Sequence, residues 1–204
     1  MVPGFHHMQR MAALLLAERV PNDGRVLVLG AGGGLELKVF AEHRSGWRFD
    51  GVDPSAEMLE LAARTLGPLA SRVGFHKGRI DIAPDGPFDG ATCLLTLHFL
   101  PRDERLRTLV EVRRRLAPGA PLVVAHHSFP QEPTEQSLWL DRFAAFATTP
   151  GMSASQMRIA ALAIGERLPT MSPEEDEALL QEAGFDGVAL FYAAFTFRGW
   201  VGYA

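Results

Sequence analysis

Arg25-Val26-Leu27-Val28-Leu29, followed at once by Gly30-Ala31-Gly32-Gly33-Gly34 and Leu35, has the form of a buried strand, a bare turn and the start of a helix. The apolar run is bounded by Asp23-Gly24 and Gly30, which is how a strand covered on both faces reads. Glycines at 30, 32 and 34 let backbone come close to a ligand in conformations that a side chain would forbid. In open α/β sheets such ligands lie beyond the carboxyl ends of the strands.

The flanking sequence repeats the alternation. Met8, Met11, Ala12 and Leu15 mark an amphipathic helix over 5–20 behind the Val2-Pro3-Gly4 turn. A helix runs from Leu35 to His43, a strand over 47–53 and a helix with Met58, Leu61, Ala62 and Thr65 on one face. Strands over 72–76 and 89–95 follow, then a helix over 102–116 and a strand over 122–125. The last helix of that set has Asp103 and Glu104 in its first turn and Arg113 to Arg115 in its last, matching the macrodipole and read as solvated. Strands alternating with helices predict a doubly wound parallel sheet.

Beyond residue 128 the rhythm changes. Helices are expected over 135–148 and 153–168, the second opened by a Ser153/Gln156 capping box. Ser172-Pro173-Glu174-Glu175 starts another helix that stops at Gly184. Strands near 187–193 and 195–203 are joined too tightly for a crossover, so they pair antiparallel. Residues 1–204 read as one domain, with 129–170 as a helical insert covering a substrate.

The chain has 204 residues, 47% apolar and 22% charged, the balance of an ordinary globular domain. Its 20 glycines and 14 prolines are too few for a collagen-like or low-complexity chain. A net charge of −4 argues against a protein that coats nucleic acid. The single cysteine, Cys93, excludes an internal disulfide and a cysteine-rich zinc module, and no metal is expected. No apolar run is long enough to span a membrane, and Met11 to Ala17 lacks the pattern of a signal peptide. The expectation is a soluble cytoplasmic chain with no membrane or nucleic-acid partner.

Asp53 ends the second strand about 20 residues past the glycine turn, where a carboxylate can accept hydrogen bonds from ribose hydroxyls. A tight turn and a helix-capping Asp explain each feature singly; together they point to a nucleoside-type cofactor. A dinucleotide fingerprint places its third glycine at position 35, which is Leu35, so the spacing is G-x-G-x-G.

These residues resemble the class I S-adenosylmethionine (SAM) methyltransferases. Val26 to Gly34 is similar to their first motif, Gly51-Val52-Asp53-Pro54-Ser55-Ala56-Glu57-Met58-Leu59 to their second, and Phe88-Asp89-Gly90-Ala91 and Leu116-Ala117-Pro118-Gly119-Ala120 to later ones. The resemblance implies a Rossmann-like α/β fold: a seven-stranded, mostly parallel sheet in the order 3-2-1-4-5-7-6, with strand 7 antiparallel and helices on both faces. It implies SAM as cofactor, S-adenosylhomocysteine as product, a small-molecule acceptor and a possible homodimer. Val2-Pro3-Gly4-Phe5, Leu95 to Leu100, Ala183-Gly184-Phe185 and Phe195 to Trp200 further resemble the carboxy-SAM synthase branch, which uses prephenate as carboxyl source.

By that resemblance the cofactor contacts are Phe5, Gly30, Ala31, Gly32, Gly34, Asp53, Pro54, Met58, Arg79, Ile80, Asp81 and Leu94. His98 is the candidate general base, and His126, His127 and Arg158 are candidate substrate contacts. Each histidine also has a plainer reading as a hydrogen-bonded residue at a strand end. Trp139, Phe143 and Phe146 read as core packing ahead of a substrate wall, and Cys93 as an inert buried residue. Two departures stand out. Val28 occupies the position where the family usually carries an acid, and Ala161 falls where the synthase branch needs an arginine for the new carboxylate. The leading expectation is methyl transfer to a small acceptor, with a carboxy-SAM synthase and a non-catalytic SAM-binding subunit or sensor as alternatives.

Overall fold

A computed structural model describes residues 1–148 and 153–204. Helix α1 (Phe5–Ala17) leads into β1 (Arg25–Leu29), α2 (Leu35–His43), β2 (Arg48–Asp53), α3 (Ala56–Leu66) and β3 (Val73–Lys77). Next come β4 (Gly90–Leu94), α4 (Arg102–Arg115) and β5 (Pro121–His127). Helices α5 (Pro133–Ala147), α6 (Ala154–Arg167) and α7 (Pro173–Glu182) precede β6 (Asp186–Ala194) and β7 (Phe197–Tyr203).

The strands form one sheet in the order β3-β2-β1-β4-β5-β7-β6, as the resemblance implies. Strands β1 to β5 pair in parallel, and β7 runs antiparallel to both β5 and β6. Side chains alternate across β1. Val26 and Val28 pack with Met8, Leu16, Leu37 and Phe40 on the side of α1 and α2, while Leu27 and Leu29 pack with Leu109, Val112, Leu179 and Leu180 of α4 and α7. Burial of each such side chain contributes roughly 1.5–3 kcal/mol, so a sheet covered on both faces is the economical way to hide this run.

Local signals account for most element ends. Ser172 and Ser153 form the expected capping boxes of α7 and α6. Helix α5 starts two residues earlier than expected because the Glu132 carboxylate accepts from the backbone N–H groups of Thr134 and Glu135, with Pro133 in the first turn. Residues 149–152 of the expected insert lie outside the described residues; α5 and α6 flank them.

Two expectations are corrected. Arg113 to Arg115 are not simply solvated: Arg113 donates to the Gly184 carbonyl at 2.6 Å, and Arg115 is buried, donating to the Glu111 carbonyl at 2.9 Å. Strand β5 does not stop at Ala125 but continues through His126 and His127 in antiparallel register with Arg198 and Phe197. Among the described residues no helix is long and apolar enough to cross a membrane.

Candidate active site

The glycine turn leaves the carboxyl end of β1 and is tied to β2 by the Gly30 and Ala31 amides, which donate to the Val52 carbonyl at 2.8 and 3.0 Å. Gly30 has φ +78°, and a Cβ there would lie 1.9 Å from Thr96 Oγ1, so neither the conformation nor the space admits a side chain. Asp53 bridges the turn and the next helix. Its Oδ2 accepts from the Gly32 amide at 2.9 Å and its Oδ1 from the Ser55 amide at 2.9 Å. Each oxygen keeps a second lone pair for a ligand hydroxyl.

Two adjoining cavities open here. One, of about 400 Å³, is lined by Phe5, Gly30, Ala31, Gly32, Asp53, Pro54, Met58 and Leu94. The other, of about 490 Å³, is lined by Pro54, Arg79, Ile80 and Asp81, and both share Gly30, Thr96 and Phe99. The structure therefore brings together every expected cofactor residue except Gly34. Gly34 (φ +79°) caps α2, and a Cβ there would lie 2.7 Å from the Ala62 Cα, so α2 needs a glycine there to pack on α3. The Arg79 guanidinium is turned to Glu104 at 3.2 Å.

A third pocket, of about 380 Å³, adjoins the first through Leu95 and Phe99, which line both. Its walls include Val2, His98, His127, Phe143, Ala161, Ile164 and Phe197. Leu95 holds φ +58°, a rare conformation for a bulky residue, at the point where β4 turns between the two pockets. Phe143 is the one expected aromatic of α5 on this wall; Phe146 packs on Phe195 instead, with ring centroids 5.2 Å apart.

The four expected catalytic and substrate residues separate. His127 lies against Phe197 with ring centroids 3.9 Å apart, and its Nδ1 is 3.0 Å from Thr196 Oγ1. His98 sits beside it, and its Nδ1 accepts weakly from the His127 amide at 3.4 Å, which leaves Nε2 as the protonated nitrogen. Burial, assisted by His127, His126 and Arg105, pushes His98 down to about 2, and burial with His126 pushes His127 down to about 3. Both rings are thus neutral. His98 offers the pocket a donor and is too weakly basic to serve as the expected general base.

His126 is a correction of place. Successive strand residues face opposite ways, so once β5 includes both histidines only one can face the pocket. His126 is buried on the other face, its Nε2 3.2 Å from Asp176 Oδ2, while Arg105 donates to Asp176 Oδ1. Burial raises the Asp176 carboxyl, but His126 and Arg105 outweigh it and hold the group below its ordinary value. Arg158 is also misplaced by the sequence reading. It is exposed and paired with Asp141 at 2.9 Å, off the pocket wall that Ala161 on the same helix lines.

Sequence reasoning missed Thr96, Gln9 and Glu36, all on the wall of the first cavity. Glu36 is buried and accepts from Thr92 Oγ1 at 3.1 Å; burial, opposed only in part by that bond, pushes its carboxyl up to about 8. The one available signal is that Glu36 is the sole acid in the first turn of α2.

Residues 26–119 match the family model described as a methyltransferase domain. The match covers a little under half of the chain, and together with the sheet order it makes the chain similar to the class I, Rossmann-like SAM-dependent methyltransferases. Among its relatives is a carboxy-S-adenosyl-L-methionine synthase of Glaesserella parasuis, 28% identical over 96% of this chain and 83% of that protein. A probable methyltransferase of Aspergillus luteorubrus is 29% identical over 85% of this chain and 61% of its own length. Among solved structures, a putative O-methyltransferase from Nostoc punctiforme superposes with a TM-score of 0.72 at 20% identity, over 98% of this chain and 56% of that one. Human N-acetylserotonin methyltransferase in complex with SAM gives 0.63 at 15% identity, over 97% and 55%. The chain spans little more than half the length of these solved proteins.

Proposed function

We propose that the chain binds SAM in the paired cavities and methylates a small, uncharged acceptor seated in the third pocket. The observation that carries this reading is the shared wall of Leu95 and Phe99, which sets an apolar pocket directly beside the cavity framed by Gly30 and Asp53. The residues present fit the cofactor. Bare backbone at Gly30–Gly32, spare lone pairs on Asp53 and an apolar shelf of Pro54, Met58 and Ile80 suit an adenosyl group.

SAM, when bound, supplies an electrophilic methyl group on a sulfonium. Asp53 accepts from the ribose hydroxyls, and Phe5 presents an aromatic ring to a cationic ligand. Phe143, Phe197 and Ile164 exclude water from the acceptor, and the neutral His98 donates a hydrogen bond from Nε2 to orient it. A nucleophile that must lose its proton gives it to solvent or to a group of the acceptor itself, since neither histidine has the basicity to take it.

The relatives named as carboxy-SAM synthases favour a second reading, a carboxylating enzyme. Ala161 speaks against it: it lines the acceptor pocket with a methyl group, and Arg158 is held by Asp141 outside. Thermal shift with millimolar S-adenosylhomocysteine, then mass spectrometry of the nucleoside that co-purifies, tests both. Stabilisation, with SAM or its demethylated product as the bound species, is expected. A carboxylated nucleoside would overturn the methyl-transfer reading, and no shift would overturn the cofactor. Steady release of S-adenosylhomocysteine with a panel of phenols and amines separates an enzyme from a sensor.

A further inference from the structure

The first cavity contains a buried acid that the adenosyl reading does not use. Glu36 projects from the first turn of α2 onto the cavity wall, 8% exposed, and Thr92 is its hydrogen-bond partner. Gln9 of α1 lines the same wall, 1% exposed, and its Oε1 has no hydrogen-bond partner among the described residues. Val28, the neighbour of Thr92 in the sheet, brings only a hydrocarbon to this region. Two oxygen acceptors, one of them a carboxyl group, are thus stored away from water with hydrogen-bonding capacity unspent. Such groups are costly to bury unless a donor arrives.

The position of the acid within the site says which donor. Asp53 lines the first cavity next to Pro54, which lines both, and Arg79, Ile80 and Asp81 line the second, suited to the base. Glu36 and Gln9 therefore wall the opposite part of the nucleoside site, toward which the amino-acid tail of SAM extends. Resting on the SAM reading proposed above, we propose that Glu36 and Gln9 form the receptor for the α-ammonium of that tail. An ammonium has three N–H donors and a full positive charge; Glu36 and the Gln9 carbonyl oxygen match two donors and the charge together.

The polar and titratable groups around Glu36 are Thr92 and Cys93 of β4, Gln9 of α1 and, across the cavity, Asp53. None of these is a cation, so burial dominates and raises the carboxyl to about 8. Arrival of the ammonium favours the ionised form, and the acid proton leaves to solvent.

The test compares two ligands by calorimetry: S-adenosylhomocysteine, and 5′-methylthioadenosine, which lacks the amino-acid tail. In Glu36→Gln the first should bind about 10- to 100-fold more weakly, the usual range for a charged hydrogen bond, and the second should be unchanged. Retained binding of the tailless ligand also shows that the variant is folded. Repeating the titration near pH 6.5 in buffers of different ionisation enthalpy should show about one proton released by the wild type and none by the variant. Equal losses for both ligands, or no loss for either, would overturn the inference while leaving SAM binding intact. Failure of the wild type to bind either ligand would overturn the SAM reading itself and this inference with it.

Discussion

Replacing Glu36 by Gln should change how the stability of the ligand-free protein responds to pH. The carboxyl is buried and its pKa lies near 8, against an ordinary 4.5. Because the folded value is raised, the folded chain holds a proton that the unfolded chain has released between those two values. The associated stability is fully present below about pH 4.5 and is lost as pH rises toward 8. At 1.36 kcal/mol per unit, the whole window is worth at most about 5 kcal/mol.

The comparison with Glu36→Gln isolates the acid from the histidines that titrate in the same window. His98 and His127 have folded values pushed down from an ordinary 6.5, so their stabilisation is present above pH 6.5 and is lost as pH falls. Between pH 6.5 and 8 both imidazoles stay neutral in the folded chain and lose their remaining protons in the unfolded one, a contribution that the wild type and Glu36→Gln share and that cancels in their difference. Allowing for half-ionisation at pH 8, the wild type should lose about 1.6 kcal/mol relative to Glu36→Gln over that interval. For a chain of this size that corresponds to roughly 3–6 °C in Tm. Urea denaturation of both proteins at the two pH values measures the difference. Parallel behaviour would refute the claim that the acid is buried and protonated; a gap that widens in the opposite sense would mean that a cation faces it.

Three further outcomes follow from the same geometry. Asp53→Ala removes the acceptors for the Gly32 and Ser55 amides as well as for a ribose, and should weaken S-adenosylhomocysteine binding by about 2–3 kcal/mol; unchanged affinity by calorimetry would dismiss the assignment. Ala161→Arg puts a charge into a pocket whose two histidines are neutral, and should cut turnover of uncharged acceptors at least about tenfold while sparing cofactor affinity; full turnover would show that the acceptor binds elsewhere. Asp176→Asn leaves the buried Arg105 guanidinium without its counter-charge and should cost about 3–5 kcal/mol in urea denaturation; a loss below about 1 kcal/mol would mean that Arg105 finds enough compensation in the carbonyls of Pro169 and Leu100.

The strand–turn–helix start of the sheet and its glycine turn were legible because their signals are local. Val26 to Leu29 must be a strand with two covered faces, and Gly30 and Gly32 answer backbone constraints that no neighbouring side chain alters. Gly34 carried the same local mark for a different reason, the close approach of Ala62 from α3, which spacing cannot reveal. The histidines were harder. Whether His126 or His127 meets the pocket depends on whether β5 ends before or after them, and its end is set by pairing with β7, some 70 residues away in the chain. The polar residue Thr92 and the small residue Ala161 likewise acquire meaning only from what stands opposite them.

On the proposed reading, Glu36 supplies in space the acid that position 28 lacks in sequence. At position 28 the valine side chain packs with Met8 and Leu37, strengthening the face of the sheet that α1 and α2 cover. A carboxylate there would have to be solvated within that packed layer. Moved to the first turn of α2, the acid instead lies near helix amides, where negative charge is favoured, and reaches Thr92 beside Val28 in the sheet. The acid is separated from the core without being separated from the cavity. A carboxylate introduced at Val28→Asp should therefore destabilise the apolar layer and fail to restore S-adenosylhomocysteine affinity to Glu36→Gln; restoration to wild-type affinity would show that the two positions serve the ligand equivalently, and that burial of Val28 counts for less than this packing implies.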